Sequence, residues 1–218
     1  MPNKKETQQI ISILEDTYHG SASALEFASV FQLLVAVILS AQTNDNQVNK
    51  ITSGLFQRYP DAAAFAQLTP EKLEPLISSC GLYKNKAKNI VATAKIINEQ
   101  YNGEVPHTKE ELTALPGVGG KTANVILAVG FGIPALAVDT HVFRVANRLG
   151  LAHTKTPEQT EAALCAIIPK AKWADAHHWL IWHGRKICAA RNPACNLCPL
   201  QGLCEYHRQQ ASALSKAQ

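Results

Sequence analysis

Four cysteines crowd one end of the chain as Cys188-x6-Cys195-x2-Cys198-x5-Cys204. Four thiols within 17 residues indicate a metal site. A metal held by all four ties this segment to a single centre, and no other feature constrains the fold as strongly. The spacing is not the paired C-x2-C…C-x2-C of zinc ribbons. Ligand softness alone does not choose between zinc and an iron–sulfur centre. Cys80 and Cys165 stand apart from the group.

The rest of the chain reads as helix. Val30 to Leu39 is apolar almost all round, as a buried central helix should be, apart from Gln32. Ala87, Ile90, Val91 and Ala94 form one apolar stripe at i, i+3, i+4 and i+7. Val142, Val145, Ala146 and Leu149 repeat that spacing, and Gly150 follows as a C-cap. Thr69-Pro70 reads as an N-cap followed by proline at the first helical position, opening a brief helix. No stretch alternates with period two for long enough to make a sheet, so the expected class is all-α. The polar tail, Gln209 to Gln218, is expected to fray.

With 218 residues, 46% of them hydrophobic, the chain has material for one large or two small cores. A net charge of +4 permits a nucleic-acid partner without demanding one. No signal peptide is visible, and Val30 to Leu39 is too short to span a bilayer. A cytoplasmic protein without a membrane partner is expected, and disulfides are rare in that compartment.

Two further segments carry chemistry. In Leu115-Pro116-Gly117-Val118-Gly119-Gly120-Lys121-Thr122-Ala123, a helix from about Lys109 must end at Pro116 and a second begins near Gly120. Such a glycine-rich hairpin presents backbone N–H groups at a helix N-terminus, which suits a phosphate. Lys121 falls in the first turn of the second helix. The dipole there disfavours a cation and so favours the neutral, nucleophilic amine. A phosphate contact is the other role open to it. Asp139, in Val138-Asp139-Thr140-His141-Val142, reads as the N-cap of the next helix. An ionised carboxylate there can also stabilise an oxocarbenium-like sugar.

Together these features resemble the endonuclease III family of DNA glycosylases, within the helix-hairpin-helix superfamily. The resemblance runs from about Leu14 to Tyr206. It rests on Leu39-Ser40-Ala41-Gln42-Thr43, Gly81-Leu82-Tyr83, Leu115 to Thr122, Val138 to Arg144, His177-His178-Trp179 and the cysteine quartet. It implies two helical domains with the DNA cleft between them. A six-helix domain containing the hairpin would span 22–132. A discontinuous domain would join 1–21 to 133–211, with Gly130 to Pro134 as the linker. It further implies that Cys188, Cys195, Cys198 and Cys204 hold a [4Fe-4S] cluster.

The resemblance also implies an activity: removal of oxidised pyrimidines from duplex DNA, by a monomer, coupled to lyase cleavage at the abasic site. Lys121 would attack the sugar C1′ and Asp139 would assist. Schiff-base chemistry and β-elimination would then nick the strand 3′ to the lesion. Gln42 would fill the gap left by the flipped nucleotide, and Leu82 would wedge into the opposite strand. Gly117, Gly119 and Gly120 would approach the backbone. Lys84, Lys86 and Lys88 would meet phosphates, as would Arg191 in the cysteine loop. His177, His178 and His183 would be structural. The adenine glycosylases of the same superfamily typically lack a lysine at the position of Lys121.

Overall fold

The computed structural model describes residues 2–216, with side chains to residue 212. Among the described residues every regular element is helical, as the patterning predicts. The first elements are α1 (Lys4–Tyr18), α2 (Val30–Ser40), α3 (Asp45–Arg58), α4 (Ala62–Ala66), α5 (Pro70–Leu73) and α6 (Tyr83–Gln100). Then follow α7 (Lys109–Ala114), α8 (Gly120–Val125), α9 (Thr140–Leu149), α10 (Pro157–Ile167), α11 (Trp173–Lys186) and α12 (Glu205–Lys216). Short 3₁₀ turns lie at Glu74–Ile77, Lys170–Lys172 and Cys195–Leu197. No helix among the described residues is long and apolar enough to cross a membrane.

The chain divides into two compact units, Ser23–Ile133 and the joined segments Met1–Ala22 and Pro134–Gln218. The first is built around α2. Ser29 caps it by accepting from the Gln32 amide at 3.2 Å, and every residue from Phe31 to Leu39 is buried. Gln32, which interrupts the apolar run, is satisfied inside. Its Oε1 accepts from Ala28 N at 2.9 Å and its Nε2 donates to the Pro60 carbonyl at 3.1 Å. Burying an amide is tolerated when both ends are bonded. The stripe Ala87, Ile90, Val91 and Ala94 of α6 is buried against α2 and α4.

The second unit places α9 at its centre. Val142, Val145, Ala146 and Leu149 are each 1% exposed or less, and they meet Ile10, Ile11 and Leu14 of α1 and Trp179 and Leu180 of α11 in one core. Gly150 ends α9 at φ 81°, where a side chain would strain the backbone. Gly184 allows α11 to approach α9, since a Cβ there would lie 3.1 Å from that of His141.

Thr69 holds the N-cap position of α5 and Pro70 the first helical position, as expected, with no capping hydrogen bond from the Thr69 side chain. One local expectation needs correcting. The tail from Gln209 does not fray at once. It continues α12 to Lys216, with Gln209 Nε2 donating to Glu205 Oε1 at 3.0 Å. Ala217 and Gln218 lie outside the described residues.

Candidate functional site

The hairpin forms as its sequence requires. Thr108 caps α7 through the Glu111 amide. The chain then reverses through Leu115-Pro116-Gly117-Val118, closed by Val118 N donating to Leu115 O at 3.1 Å. Proline and then a glycine at φ 79° are the residues such a turn favours. Helix α6 holds the turn: Thr93 Oγ1 donates to the Pro116 carbonyl at 2.9 Å. Asn89 sits so close that a Cβ at Gly117 would fall 2.9 Å from its own Cβ. Gly119 and Gly120 differ, because a Cβ on either would meet nothing within 4 Å. No side chain caps α8, so its first amides face an open, uncrowded surface. Lys121 is exposed in that first turn. Beyond Val125 the helix widens into a π-turn, Ile126–Gly130, a distortion that recurs at functional sites.

Gln42 and Leu82 come together in the same unit. Both are exposed, and both adopt the left-handed conformation, at φ 56° and 57°. Gly81 lies so near that a Cβ on it would be 3.3 Å from the Gln42 carbonyl oxygen. Lys84 and Lys88 are exposed on α6, but Lys86 is not. Its side chain is buried, with Nζ donating to the carbonyls of Leu39 and Ala41. The expectation that all three lysines meet phosphates fails at the middle one. Residues two apart on a helix point some 200° away from each other, so Lys86 faces the core when its neighbours face water.

In the other unit, Asp139 begins α9. Its Oδ1 accepts from the amides of both His141 and Val142 at 2.8 Å, and the second carboxylate oxygen takes no part in the cap. The preceding Leu136, Ala137 and Val138 are buried, and His177 Nδ1 pairs with the Ala137 carbonyl at 2.7 Å. The position of Asp139 is therefore set from both sides.

The same helix grips the first cysteine. Arg144 donates from Nε and Nη2 to the Cys188 carbonyl at 3.1 and 3.0 Å. Arg148, one turn on, donates to the carbonyls of Ala189 and Ala190 and approaches Cys188 Sγ at 3.5 Å. Its guanidinium stacks on Tyr206 at 4.6 Å. Sequence reasoning assigned neither arginine a role. The available signal was a basic i, i+4 pair on a strongly amphipathic helix.

Cys188, Cys195, Cys198 and Cys204 line one cavity together with Leu149, Ile187, Pro193 and Tyr206. Burial pushes the Cys198 thiol up to about 11, and its three cysteine neighbours push the same way. Burial likewise raises Cys204. Among the described residues no group of three or more His, Cys, Asp and Glu is gathered so as to hold a single metal ion. His183, 1% exposed, joins the centre to α1: Tyr18 Oη lies 3.0 Å from its Nδ1, and Cys198 Sγ 3.7 Å from its Nε2. Burial holds this imidazole near 4, far below its ordinary value. Arg191 is exposed in the loop between the first two cysteines.

Residues 35–170 match the HhH-GPD superfamily of base excision DNA repair proteins. Endonuclease III of Escherichia coli is 47% identical over 204 residues, 94% of this chain and 97% of that protein. The chain belongs to the endonuclease III family. Endonuclease III of a Synechocystis species is 48% identical over 202 residues, 92% of each chain. Among solved structures, a trapped covalent intermediate of endonuclease III with DNA matches with a TM-score of 0.92 at 42% identity, covering 97% of this chain and 100% of that one. A thermostable thymine-DNA glycosylase, 24% identical, shares the fold with a TM-score of 0.83. As a member of the endonuclease III family the protein is a DNA glycosylase with AP lyase activity.

Proposed function

We propose that this enzyme removes oxidised pyrimidines from duplex DNA and cleaves the resulting abasic site, with Lys121 as nucleophile. The observation that carries the proposal is the placement of Lys121. It is exposed in the first turn of α8, directly after a glycine turn that no side chain caps. The hairpin amides at Gly119 and Gly120 have room for a phosphate, which would fix the strand while the damaged nucleotide leaves the stack. Gln42 and Leu82, exposed at the surface, fit side chains that fill the gap and wedge the opposite strand. Lys84 and Arg191 are exposed cations suited to phosphate contact. A cytoplasmic location is part of the same proposal.

The chemistry follows from an amine and a carboxylate. Lys121 Nζ attacks C1′, the C1′–N bond breaks, and the base leaves with the electron pair and takes up a proton. The sugar ring opens to an imine on Nζ. Loss of a C2′ proton then expels the 3′ phosphate and nicks the strand. Asp139 stabilises the positive charge that develops on the sugar, a contribution of about 10²–10³ in rate for one well-placed group.

Cys188, Cys195, Cys198 and Cys204 would hold a [4Fe-4S] cluster. Four soft thiols line a shared cavity, the donor set that such a centre requires, and membership of the endonuclease III family selects the cluster over a zinc ion. When bound, the cluster would supply an iron centre that ties the four chain positions together. The cavity is lined by Leu149, Ile187 and Pro193 together with the polar His183, Gln201 and His207. Arg144 and Arg148 hold the loop that bears the first ligand.

Borohydride trapping tests the nucleophile. Wild-type protein mixed with duplex DNA bearing an abasic site is expected to form a covalent adduct, and Lys121→Ala none. No adduct with the wild type, or equal trapping by the variant, overturns the assignment.

A further inference from the structure

Lys86 lies in the unit that carries Gln42 and Leu82, and its side chain is only 5% exposed. An ammonium group has three N–H donors, and each finds a neutral oxygen. Nζ donates to Leu39 O at 2.7 Å, to Ala41 O at 2.5 Å and to Thr43 Oγ1 at 3.1 Å. The first two carbonyls belong to the C-terminal end of α2 and its cap, where the helix dipole is negative and favours a cation. Burial still pulls this lysine below its ordinary value, so the site holds the charge at a cost.

The bonded oxygens flank Gln42 on both sides, from Ala41 and Thr43. Thr43 Oγ1 also accepts from Gly81 N at 3.3 Å, one residue before Leu82. Lys86 reaches Leu82 by backbone as well, its amide donating to the Leu82 carbonyl at 3.1 Å to start α6. Gln42 and Leu82 are non-glycine residues at φ 56° and 57°. Such conformations are unfavourable for residues with a Cβ and persist only when the surroundings over-determine them. Lys86 is the group bonded to both surroundings.

We infer that Lys86 is a positioning residue: its buried ammonium fastens the Gln42 loop to the start of α6, so that Gln42 and Leu82 enter the duplex as one preset wedge. The inference rests on the proposed insertion of those two side chains into DNA. Its advantage is preorganisation, because the strained backbone is held during folding and not at the moment of base extrusion.

The test compares Lys86→Met, Thr43→Val, Gln42→Ala and Leu82→Ala with wild type. Base extrusion is followed by 2-aminopurine fluorescence beside a lesion in duplex DNA. Borohydride trapping on single-stranded abasic DNA reports Lys121 chemistry where no wedge is needed. Lys86→Met is expected to slow extrusion about tenfold, as loss of ~1.4 kcal/mol of positioning would. Thr43→Val, which removes the oxygen bonded by both Lys86 Nζ and Gly81 N but leaves the two carbonyl bonds of Lys86, is expected to slow it about threefold, as loss of ~0.65 kcal/mol would. Both should trap single-stranded substrate within about twofold of wild type, a difference under ~0.5 kcal/mol. If Gln42→Ala and Leu82→Ala extrude normally, the insertion proposal itself fails. If those two are impaired while Thr43→Val and a folded Lys86→Met extrude like wild type, the role of Lys86 fails. Should Lys86→Met not fold, Thr43→Val alone decides, wild-type extrusion by it refuting the coupling.

Discussion

The carboxylate of Asp139 caps α9 and is proposed to stabilise the sugar cation, and two substitutions pull these roles apart. Its Oδ1 accepts two amide bonds at 2.8 Å that start α9, while its charge is assigned to the sugar cation. Asp139→Asn keeps a side-chain oxygen for the cap and removes only the charge. Asparagine and aspartate cap equally well, so the stability loss should be that of one charge at a helix N-terminus, about 0.5 kcal/mol. Asp139→Ala removes both amide partners at a half-buried helix start and should cost about 2 kcal/mol. For a chain of this length that corresponds to a melting-temperature fall of about 4–8 °C, against about 1–2 °C for asparagine. Excision should respond differently, since the charge is absent from both variants: each should lose about 10²–10³ in single-turnover rate. Circular-dichroism melts and single-turnover glycosylase assays on one thymine-glycol duplex check both quantities. Wild-type excision by Asp139→Asn would refute the electrostatic role. Equal melting of the two variants would refute the cap.

Four other outcomes are expected. Gly117→Ala meets a positive φ and the Asn89 side chain at 2.9 Å, so it should cost about 1–3 kcal/mol in a denaturant titration. Gly119→Ala enters open space and should leave stability within about 0.5 kcal/mol while weakening DNA binding in a gel-shift titration. Removing iron with a chelator should lower the melting temperature by at least about 5 °C, because metal binding free energy is folding free energy; an unchanged melt rejects the cluster as a structural centre. Glu6 is held below its ordinary 4.5 by the hydrogen bond from Arg208 and the amide of Asn3. Its folded value is depressed, so its stabilising contribution is present above 4.5 and is lost as pH falls through the folded value. The melting difference between wild type and Glu6→Gln should therefore shrink towards zero in acid, and a difference that grows in acid contradicts the pairing.

Much of this was legible in the chain because the signals are local. The cap at Asp139, the C-cap at Gly150 and the turn at Pro116-Gly117 each depend on residues a few positions apart, and each forms as its chemistry requires. The cysteine spacing is equally local, and the structure brings the four thiols to one cavity. The contacts that support these features are remote in sequence. Tyr18 meets His183 across 165 positions, and Arg148 holds a loop some 40 residues on. No periodicity announces such pairs. Lys86 is the instructive failure. Three lysines at alternate positions suggest a basic face, but helical geometry puts the middle one opposite its neighbours. The pattern already contained the answer, and composition obscured it.

The two residues at the surface of the first unit pose a related problem, since folding alone gives no reason for them. Leu82 is 58% exposed, and a single exposed leucine is ordinary. A left-handed leucine is not, and here it has a left-handed glutamine beside it. Two strained, exposed residues anchored by one buried cation combine costs that a stability-driven sequence would remove. A glycine at either position would relieve the backbone strain. Retaining side chains there makes physical sense only if the side chains themselves are used. If that is right, Leu82→Gly should stabilise the fold or leave it unchanged in a thermal melt while abolishing the wedge in the extrusion assay. A marked loss of stability in Leu82→Gly would mean that the leucine serves the fold after all.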